Sequence, residues 1–269
     1  MQHDTISFHD DGSGFPILWI HGFPLSSAVF APQTRIQGYR HVRPDLRGFG
    51  STPPPEGEMS MADYARDVLG VLDSLNIDRA VVAGLSMGGY IAMQLLRDAP
   101  KRVAALLLLD TRETADTKEG REGRLASARD VAANGTKNVV ESMTPKMVVR
   151  EPLRDVVRHI MQSASPAGVI AALKAMAARP DSTDTLRRTG APALVMVGEH
   201  DSLTPVSDAE RMVALMKTAE LAPIANAAHL ANFEAPAQVN DLIPAFLARY
   251  LDQRLESGGV RTASRRGGR

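Results

Sequence analysis

The residues of this 269-residue chain that could carry out chemistry together are a serine, an acid and a histidine, far apart in sequence. Ser86 is the centre of a Gly-x-Ser-x-Gly motif, Asp201 closes the segment Gly198–Asp201, and His229 follows Asn226–Ala228. A serine hydroxyl is a weak nucleophile at neutral pH, so acyl transfer needs a base to take its proton and a carboxylate to orient that base. These residue types predict attack on a carbonyl by Ser86, with His229 as base and Asp201 as acid.

The serine motif has the local context that such a mechanism requires. Val81–Ala83 is typical of a buried strand, and a helix is predicted to begin near Met87. A serine on a sharp strand-to-helix turn is forced into strained backbone angles, and flanking glycines let the two elements approach. Amides at the helix start would face negative charge that develops where Ser86 attacks. Taken alone, the five residues also fit a chance structural turn, so the rest of the chain decides.

The elements that must position these residues alternate between strand and helix, which predicts a parallel sheet covered on both faces. Asp10–Gly14 is predicted as a turn, Ser60 as the cap of a helix, and Pro236–Leu251 as the final helix. The predicted strands are Thr5–Phe8, Pro16–Ile20, His41–Arg43, Val81–Ala83, Val103–Leu109, Ala193–Val197 and Glu220–Ile224.

The alternation stops between Thr111 and Gly190, where the chain is charged and carries helical signals without a convincing strand. Pro152 and Pro166 each mark a first helical turn in this segment. We therefore predict a core domain from residues 1–110 and 191–254, a helical cap over residues 111–190, and a disordered tail over residues 255–269.

Composition gives no sign of a macromolecular or metal partner. Hydrophobic residues make up 44%, charged residues 23%, and the formal net charge is +0, so we expect a small-molecule substrate rather than nucleic acid or a membrane. The absence of cysteine excludes disulfides and thiol chemistry, and the histidines outside the motifs do not cluster with carboxylates at ligand spacing. With no signal-peptide pattern and no apolar run of spanning length, a cytoplasmic location is expected.

Five motifs are spread over nearly the whole chain: His21–Pro24, Asp45–Gly50, Gly84–Gly89, Gly198–Asp201 and Ala228–Glu234. Together they resemble the α/β-hydrolase family, and Ser, acid, His is the chain order of that fold. Within the superfamily the chain is similar to small capped esterases and lactonases related to 3-oxoadipate enol-lactone hydrolases and cofactor-free haloperoxidases.

The resemblance implies that Ser86 attacks the substrate carbonyl, that His229 moves the proton and that Asp201 orients the imidazole. It further implies an oxyanion hole made by the backbone N–H groups of Phe23 and Met87, with each donor worth about 3 kcal/mol in the transition state. Water would release the acyl group, and neither a cofactor nor a metal is required.

Three departures from the family pattern matter. The family's first strand is missing or shortened at this N-terminus, and Ala228 stands where glycine is usual before the histidine. Ser86 occupies the position at which haloalkane dehalogenases and epoxide hydrolases carry aspartate, which argues against both activities. Asp110 rivals Asp201 as the acid, because some relatives keep theirs after the preceding strand.

The sequence therefore predicts a serine hydrolase that cleaves a small carboxylic ester or lactone through an acyl-enzyme. Two alternatives stay open: perhydrolysis or peroxide-dependent halogenation on the same triad, and a slow-turnover ligand sensor. The particular ester or lactone, the acyl-chain preference, the enantioselectivity and the oligomeric state are not specified, and a homo-oligomer is compatible with the sequence.

Overall fold

The computed structural model describes residues 6–252 and centres on a seven-stranded sheet with the order β1-β3-β2-β4-β5-β6-β7. Strand β1 pairs antiparallel with β3, and the other neighbouring pairs are parallel. This sheet confirms the predicted mostly parallel α/β architecture. The strands are β1 (Phe8–Gly12), β2 (Phe15–Ile20), β3 (Tyr39–Pro44), β4 (Ala80–Leu85), β5 (Val103–Leu109), β6 (Ala193–Gly198) and β7 (Ala219–Ile224).

Helices connect the strands, and none in the described part of the chain is both long and apolar enough to cross a bilayer. Short 3-10 helices cover Ser27–Arg35 and Pro100–Arg102, and Ala248–Asp252 is π-helical. The α-helices are α1 (Met61–Ser74), α2 (Met87–Asp98), α3 (Lys118–Asn134), α4 (Lys137–Met147), α5 (Glu151–Gln162), α6 (Pro166–Ala177), α7 (Thr183–Arg188), α8 (Val206–Leu215), α9 (Ala231–Glu234) and α10 (Pro236–Leu247).

Two helix starts follow directly from side-chain capping. Ser60 Oγ accepts from the amide of Asp63, whose carboxylate accepts in turn from the amide of Ser60, so both ends of this capping box are made. Ser165 Oγ accepts from the amide of Gly168 at the start of α6, with Pro166 in the first turn. The predictions that Ser60 and Pro166 mark helix starts are confirmed.

Strands β4 and β5, in the middle of the sheet, are buried along their whole length, which explains their uninterrupted apolar sequences. Successive residues face opposite sides of the sheet: Leu106 and Leu108 pack into one apolar cluster, and Leu107 and Leu109 into the other. Full burial of each such side chain contributes about 2 kcal/mol to the free energy of unfolding. The carboxyl ends of β4 and β6 are thereby held in fixed positions at one edge of the sheet.

The N-terminal strand differs from the sequence-based expectation. Asp10 and Asp11 lie in β1, not in a turn, because they form ion pairs across the antiparallel ladder with Arg40 and Arg43 of β3. The strand therefore starts later and runs further than predicted, and Thr5 lies outside the described residues. At the other end α10 stops at Leu247, and the predicted tail over residues 255–269 also lies outside the described part.

Helices α3 to α7 lie in the chain between β5 and β6, where helices without strands are predicted, and are called the helical insertion below. One attachment to the core is made by Ser165, whose amide and hydroxyl both donate to the carbonyl oxygen of Gly48, at 2.8 and 3.0 Å. A second is an ion pair between Lys174 and Glu58. These contacts, one at the N-cap of α6 and one in its last turn, hold the helix against the loop that follows β3.

Candidate active site

Ser86 lies on a sharp turn between β4 and α2 with φ 53° and ψ −114°. This left-handed conformation costs roughly 1–3 kcal/mol, and the surroundings must hold it in place. The amide of Ser86 donates to Leu109 at 2.9 Å, and Thr111 Oγ1 donates to the carbonyl oxygen of Ser86 at 2.8 Å. A Cβ on Gly84 would lie 2.4 Å from the carbonyl oxygen of Gly88, so glycine is required for this close approach of strand and helix.

The three residues predicted to act together meet at the carboxyl edge of the sheet. His229 Nε2 lies 2.8 Å from Ser86 Oγ, and His229 Nδ1 lies 2.8 Å from Asp201 Oδ2. The imidazole and the carboxylate are almost completely buried. A continuous hydrogen-bonded chain thus runs from the acid through the imidazole to the hydroxyl, across positions that are 143 and 28 residues apart.

The surroundings of Asp201 favour its ionised form. Burial pushes the pKa of Asp201 upward, but His229 and the hydrogen bonds from His229 and Thr204 outweigh burial and place that pKa below its usual value. Oδ1 accepts from the amides of Leu203 and Thr204, and Oδ2 accepts from Thr204 Oγ1. An ionised carboxylate cannot donate, so His229 Nδ1 carries a hydrogen, and Nε2 is the ring nitrogen that faces Ser86 Oγ.

Asp110, the rival acid, makes a different set of contacts. Its Oδ1 accepts from the amide of Gly198 at 2.8 Å, and its Oδ2 accepts from the amide of Ala231 at 3.1 Å. Burial, with the nearby charge of Asp201, raises the pKa of Asp110 well above its usual value. Asp110 therefore joins the end of β6 to the loop that carries His229, while Asp201 contacts the ring.

The loop after β2 packs directly against the nucleophile. A Cβ on Gly22 would lie 3.1 Å from the Cβ of Ser86, so the backbone next to Phe23 borders the serine. His21 Nε2 accepts from the amide of Leu46 at 2.9 Å, which leaves the hydrogen on Nδ1 for the carbonyl oxygen of Gly22. Burial lowers the pKa of His21 and keeps the ring neutral. His21 thus holds the loops after β2 and β3 together through its two ring nitrogens.

Both predicted oxyanion donors are close to Ser86 in the structure: Met87 directly follows it in the chain, and Phe23 follows Gly22, which packs against it. Met87 is the first residue of α2, so its amide is at the positive end of that helix. Phe23 lines the same cavity as Ser86 and His229. Within residues 6–252, neither of these two amides donates to a protein acceptor.

A cavity of about 200 Å³ opens on Ser86 and His229, and the helical insertion supplies part of its wall. Asp116 and Arg124 form an ion pair there at 2.5 Å, and the same carboxylate pairs with the buried Arg179 at 2.7 Å. Two cations thus share one acid. The second side of the Arg124 guanidinium contacts the sulfur of Met176 at 3.2 Å. Among the residues that line the cavity, Arg112 and Arg124 are positively charged and Asp116 is negatively charged, an excess of one positive charge.

Comparison with known proteins decides the family. The model of the α/β-hydrolase fold family matches residues 16–236. The chain belongs to this family. A thermophilic esterase from Thermogutta terrifontis, in its malate-bound form, is 35% identical, superposes with a TM-score of 0.88, and matches over 91% of this chain and 93% of its own.

Two curated relatives agree with the narrower resemblance. A non-heme haloperoxidase of Rhodococcus erythropolis is 29% identical over 80% of this hydrolase and 86% of its own length. The 3-oxoadipate enol-lactonase 2 of Acinetobacter baylyi (strain ATCC 33305 / BD413 / ADP1) is 25% identical over 77% of this chain and 78% of its own length. The predicted resemblance to esterases, enol-lactonases and haloperoxidases is confirmed.

Sequence reasoning assigned no role to Glu234, which holds the histidine loop of this hydrolase against the helical insertion. Its buried carboxylate accepts from the amide of Ala228, directly before His229, at 2.8 Å. It also accepts from the amides of Val149 and Arg150 at 3.1 and 2.6 Å, between α4 and α5. The sequence does show an acid within the motif that contains His229. Its role cannot be inferred from that, because its partners are backbone amides, which every residue type has.

We expect Glu234→Gln to lower the free energy of unfolding by about 2–3 kcal/mol, because an amide side chain leaves buried N–H groups without an acceptor. The melting temperature should fall by roughly 5–10 °C, measured by thermal denaturation. Glu151→Gln is the matched control, since that glutamate lies in the same region with an exposed side chain paired with Arg154. Equal melting temperatures for the two variants would contradict this role.

Proposed function

We propose that this hydrolase cleaves small carboxylic esters or lactones through an acyl-enzyme on Ser86. The observation that carries the proposal is the hydrogen-bonded chain from Asp201 through His229 to Ser86, which ends in a cavity beside two unpaired backbone amides. A cavity of about 200 Å³ suits a small substrate, since sites for drug-sized ligands measure roughly 300–1,000 Å³.

In the first half of the proposed reaction, Ser86 Oγ bonds to the carbonyl carbon while its proton passes to His229 Nε2. The oxyanion then accepts from the amides of Phe23 and Met87, each worth about 3 kcal/mol. As the intermediate collapses, the carbon–oxygen bond to the leaving group breaks, and His229 gives its proton to the departing oxygen. In the second half, water attacks the acyl carbonyl carbon while His229 takes a proton from that water. The bond between the acyl carbon and Ser86 Oγ then breaks and His229 returns the proton to Oγ, which releases the acid and free Ser86.

The covalent intermediate provides the direct test. Mixing the enzyme with excess p-nitrophenyl acetate should give a burst of p-nitrophenol equal to the enzyme concentration, and acid quenching followed by peptide mass spectrometry should find an acetyl group on Ser86. No burst and no acetylated peptide, together with tight ligand-dependent thermal stabilisation, would favour the ligand sensor and overturn the proposal.

We further propose that the helical insertion acts as a cap, with residues 111–190 covering a core of residues 1–110 and 191–254. The support is that Arg124, Met143 and Met176 of the insertion line the cavity opposite the triad. The size of the acyl group that fits is then set by the insertion, while the chemistry is set by the edge of the sheet.

The charge of the cavity wall favours substrates that carry a carboxylate. For ethyl hydrogen succinate, we expect Arg124→Gln to lower kcat/KM about tenfold through KM, the scale of one charge-assisted hydrogen bond. For neutral ethyl butyrate the same variant should stay within about twofold. Arg129→Gln, an exposed residue on the same helix, is the control. An equal loss on both substrates would mean that Arg124 serves the fold instead.

A second activity is favoured by the haloperoxidase relative, which matches most of the chain. Perhydrolysis would use the same acyl-enzyme, with peroxide in place of water as the attacking group. The product would be a peracid, which oxidises bromide without a metal. Peroxide-dependent bromination in acetate buffer measures this activity. If the wild type shows none, hydrolysis remains the only proposed activity.

A further inference from the structure

A second cleft lies at the opposite edge of the sheet from the triad and has a volume of about 460 Å³. Its lining includes Arg79, which precedes β4, and Val103, the first residue of β5, so it borders the amino ends of the central strands. Ser86 follows the carboxyl end of β4 after six residues, a length of about 20 Å. The cleft is therefore separate from the proposed active site.

Three arginines line this cleft, and none of the described residues that line it is acidic. Arg97 is held by neutral oxygens, with bonds to Gln94, Thr185 and the Asp181 carbonyl at 2.7, 3.1 and 2.8 Å. Arg79 makes two long contacts of 3.4 Å with a single carbonyl oxygen. Within residues 6–252, the guanidinium group of Arg188 has no hydrogen-bond or ion-pair partner.

The carboxylates of Asp181 and Asp98, near Arg97, form hydrogen bonds with other groups. Burial pushes the pKa of Asp181 upward, but hydrogen bonds from Thr183 and Ala115 and, as the smallest contribution, the charge of Arg97 place that pKa below its usual value. Asp181 Oδ1 accepts from the amide of Thr183 at 2.8 Å. Asp98 accepts from Gln94, also at 2.8 Å. No carboxylate oxygen in the described chain bonds to any of the three guanidinium groups. The cleft thus concentrates positive charge that the protein does not neutralise by direct pairing.

We propose that this cleft binds a small oxyanion ligand that carries at least two negative charges, as on a phosphate group or paired carboxylates. The planar fork of arginine matches the oxygen geometry of both groups. Arg97 is pre-positioned by its own bonds, while Arg79 and Arg188 are exposed and free to close on a ligand. Leu96, Pro100 and Val103 form an apolar wall for the rest of the molecule, and the volume falls in the range of metabolite sites.

Pyrophosphate is the probe of choice, measured by isothermal titration calorimetry and thermal denaturation against sodium chloride of equal ionic strength. We expect saturable binding to the wild type that weakens about tenfold in Arg188→Gln and in Arg79→Gln, since each change removes one charge-assisted contact. Both side chains make few or no contacts, so both variants should fold. Ser86→Ala should bind as the wild type does, because the cleft lies at the other edge of the sheet.

Arg187→Gln is the matched control: this neighbour is exposed, pairs with Asp184, and does not line the cleft. It should bind pyrophosphate within about twofold of the wild type. The proposal is overturned if pyrophosphate up to roughly 10 mM, the weak end of metabolite affinities, gives no saturable signal. It is equally overturned if sodium chloride reproduces the stabilisation, if Arg187→Gln weakens binding as much as Arg188→Gln, or if duplex DNA binds and pyrophosphate does not.

Discussion

Replacing Ser86 by alanine is expected to lower kcat for ester hydrolysis by about 10⁶-fold, the scale on which removal of a serine nucleophile acts elsewhere. Without the hydroxyl, His229 has no proton to accept from the protein, and no acyl-enzyme can form. The amides of Phe23 and Met87 would still polarise a bound carbonyl, so a small residual rate above that in water should remain.

The fold should survive this change. The turn is held by the amide and the carbonyl oxygen of Ser86, which bond to Leu109 and Thr111 and are backbone atoms that alanine retains. We expect a melting temperature close to that of the wild type, and Ser163→Ala, a change at an exposed serine, as a fully active control. Substantial ester hydrolysis by a folded Ser86→Ala enzyme would remove the proposed function.

Asp201→Asn is expected to lower kcat by about 10⁴-fold, even though the side chain keeps its shape. The oxygen of asparagine can still accept from the amides of Leu203 and Thr204, so the loop stays in place. Its NH₂ group would then face His229 Nδ1 and donate to it. The ring would carry its hydrogen on Nε2, where it cannot accept from Ser86.

The same substitution should change the acid dependence of stability. The folded pKa of Asp201 lies below its usual value, so its pairing with His229 stabilises the fold above the unfolded pKa of about 3.9. That contribution is lost as the pH falls through the lower folded pKa, and the Asn variant should lack this part of the dependence. Urea denaturation from about pH 5 down to about pH 2 measures the difference.

A parallel Asp110→Asn variant separates the two acids. Asp110 contacts backbone amides and not the ring, so its substitution should lower stability more than kcat. An active Asp201→Asn enzyme beside an inactive but folded Asp110→Asn enzyme would transfer the role of the acid to Asp110. Thermal denaturation and kcat measured on both variants decide between these outcomes.

The sequence predicts the meeting of Ser86, Asp201 and His229 because each directly follows a strand or lies on the loop just beyond one. Parallel strands bring such positions to one edge of a sheet, so one-dimensional order is enough to infer proximity. Asp45 also directly follows a strand, β3, and its carboxylate holds the loop there by accepting from the amides of Ser27 and Ser51.

The wall of the cavity could not be inferred in that way. Arg124 lies on α3, whose residues are largely polar and exposed, so no periodic pattern shows which side chain turns inward. Its pairing with Asp116, and the sharing of that acid with Arg179, depend on how insertion helices pack against one another. The ion pairs of β1 were missed for a related reason, because an acid at an exposed strand edge has the composition of a turn.

The three amide bonds to Glu234 have a consequence for exchanging parts between relatives. A foreign set of helices grafted in place of α3–α7 would have to bring a segment that presents two N–H groups where Val149 and Arg150 now do. A graft without these N–H groups would leave the buried carboxylate of Glu234 without two of its hydrogen-bond donors. Because Glu234 also holds the residue directly before His229, the chimera would lose the alignment of the imidazole as well as its original specificity. Swapped chimeras of this enzyme therefore need their junctions outside residues 147–150, with that short stretch kept as native sequence.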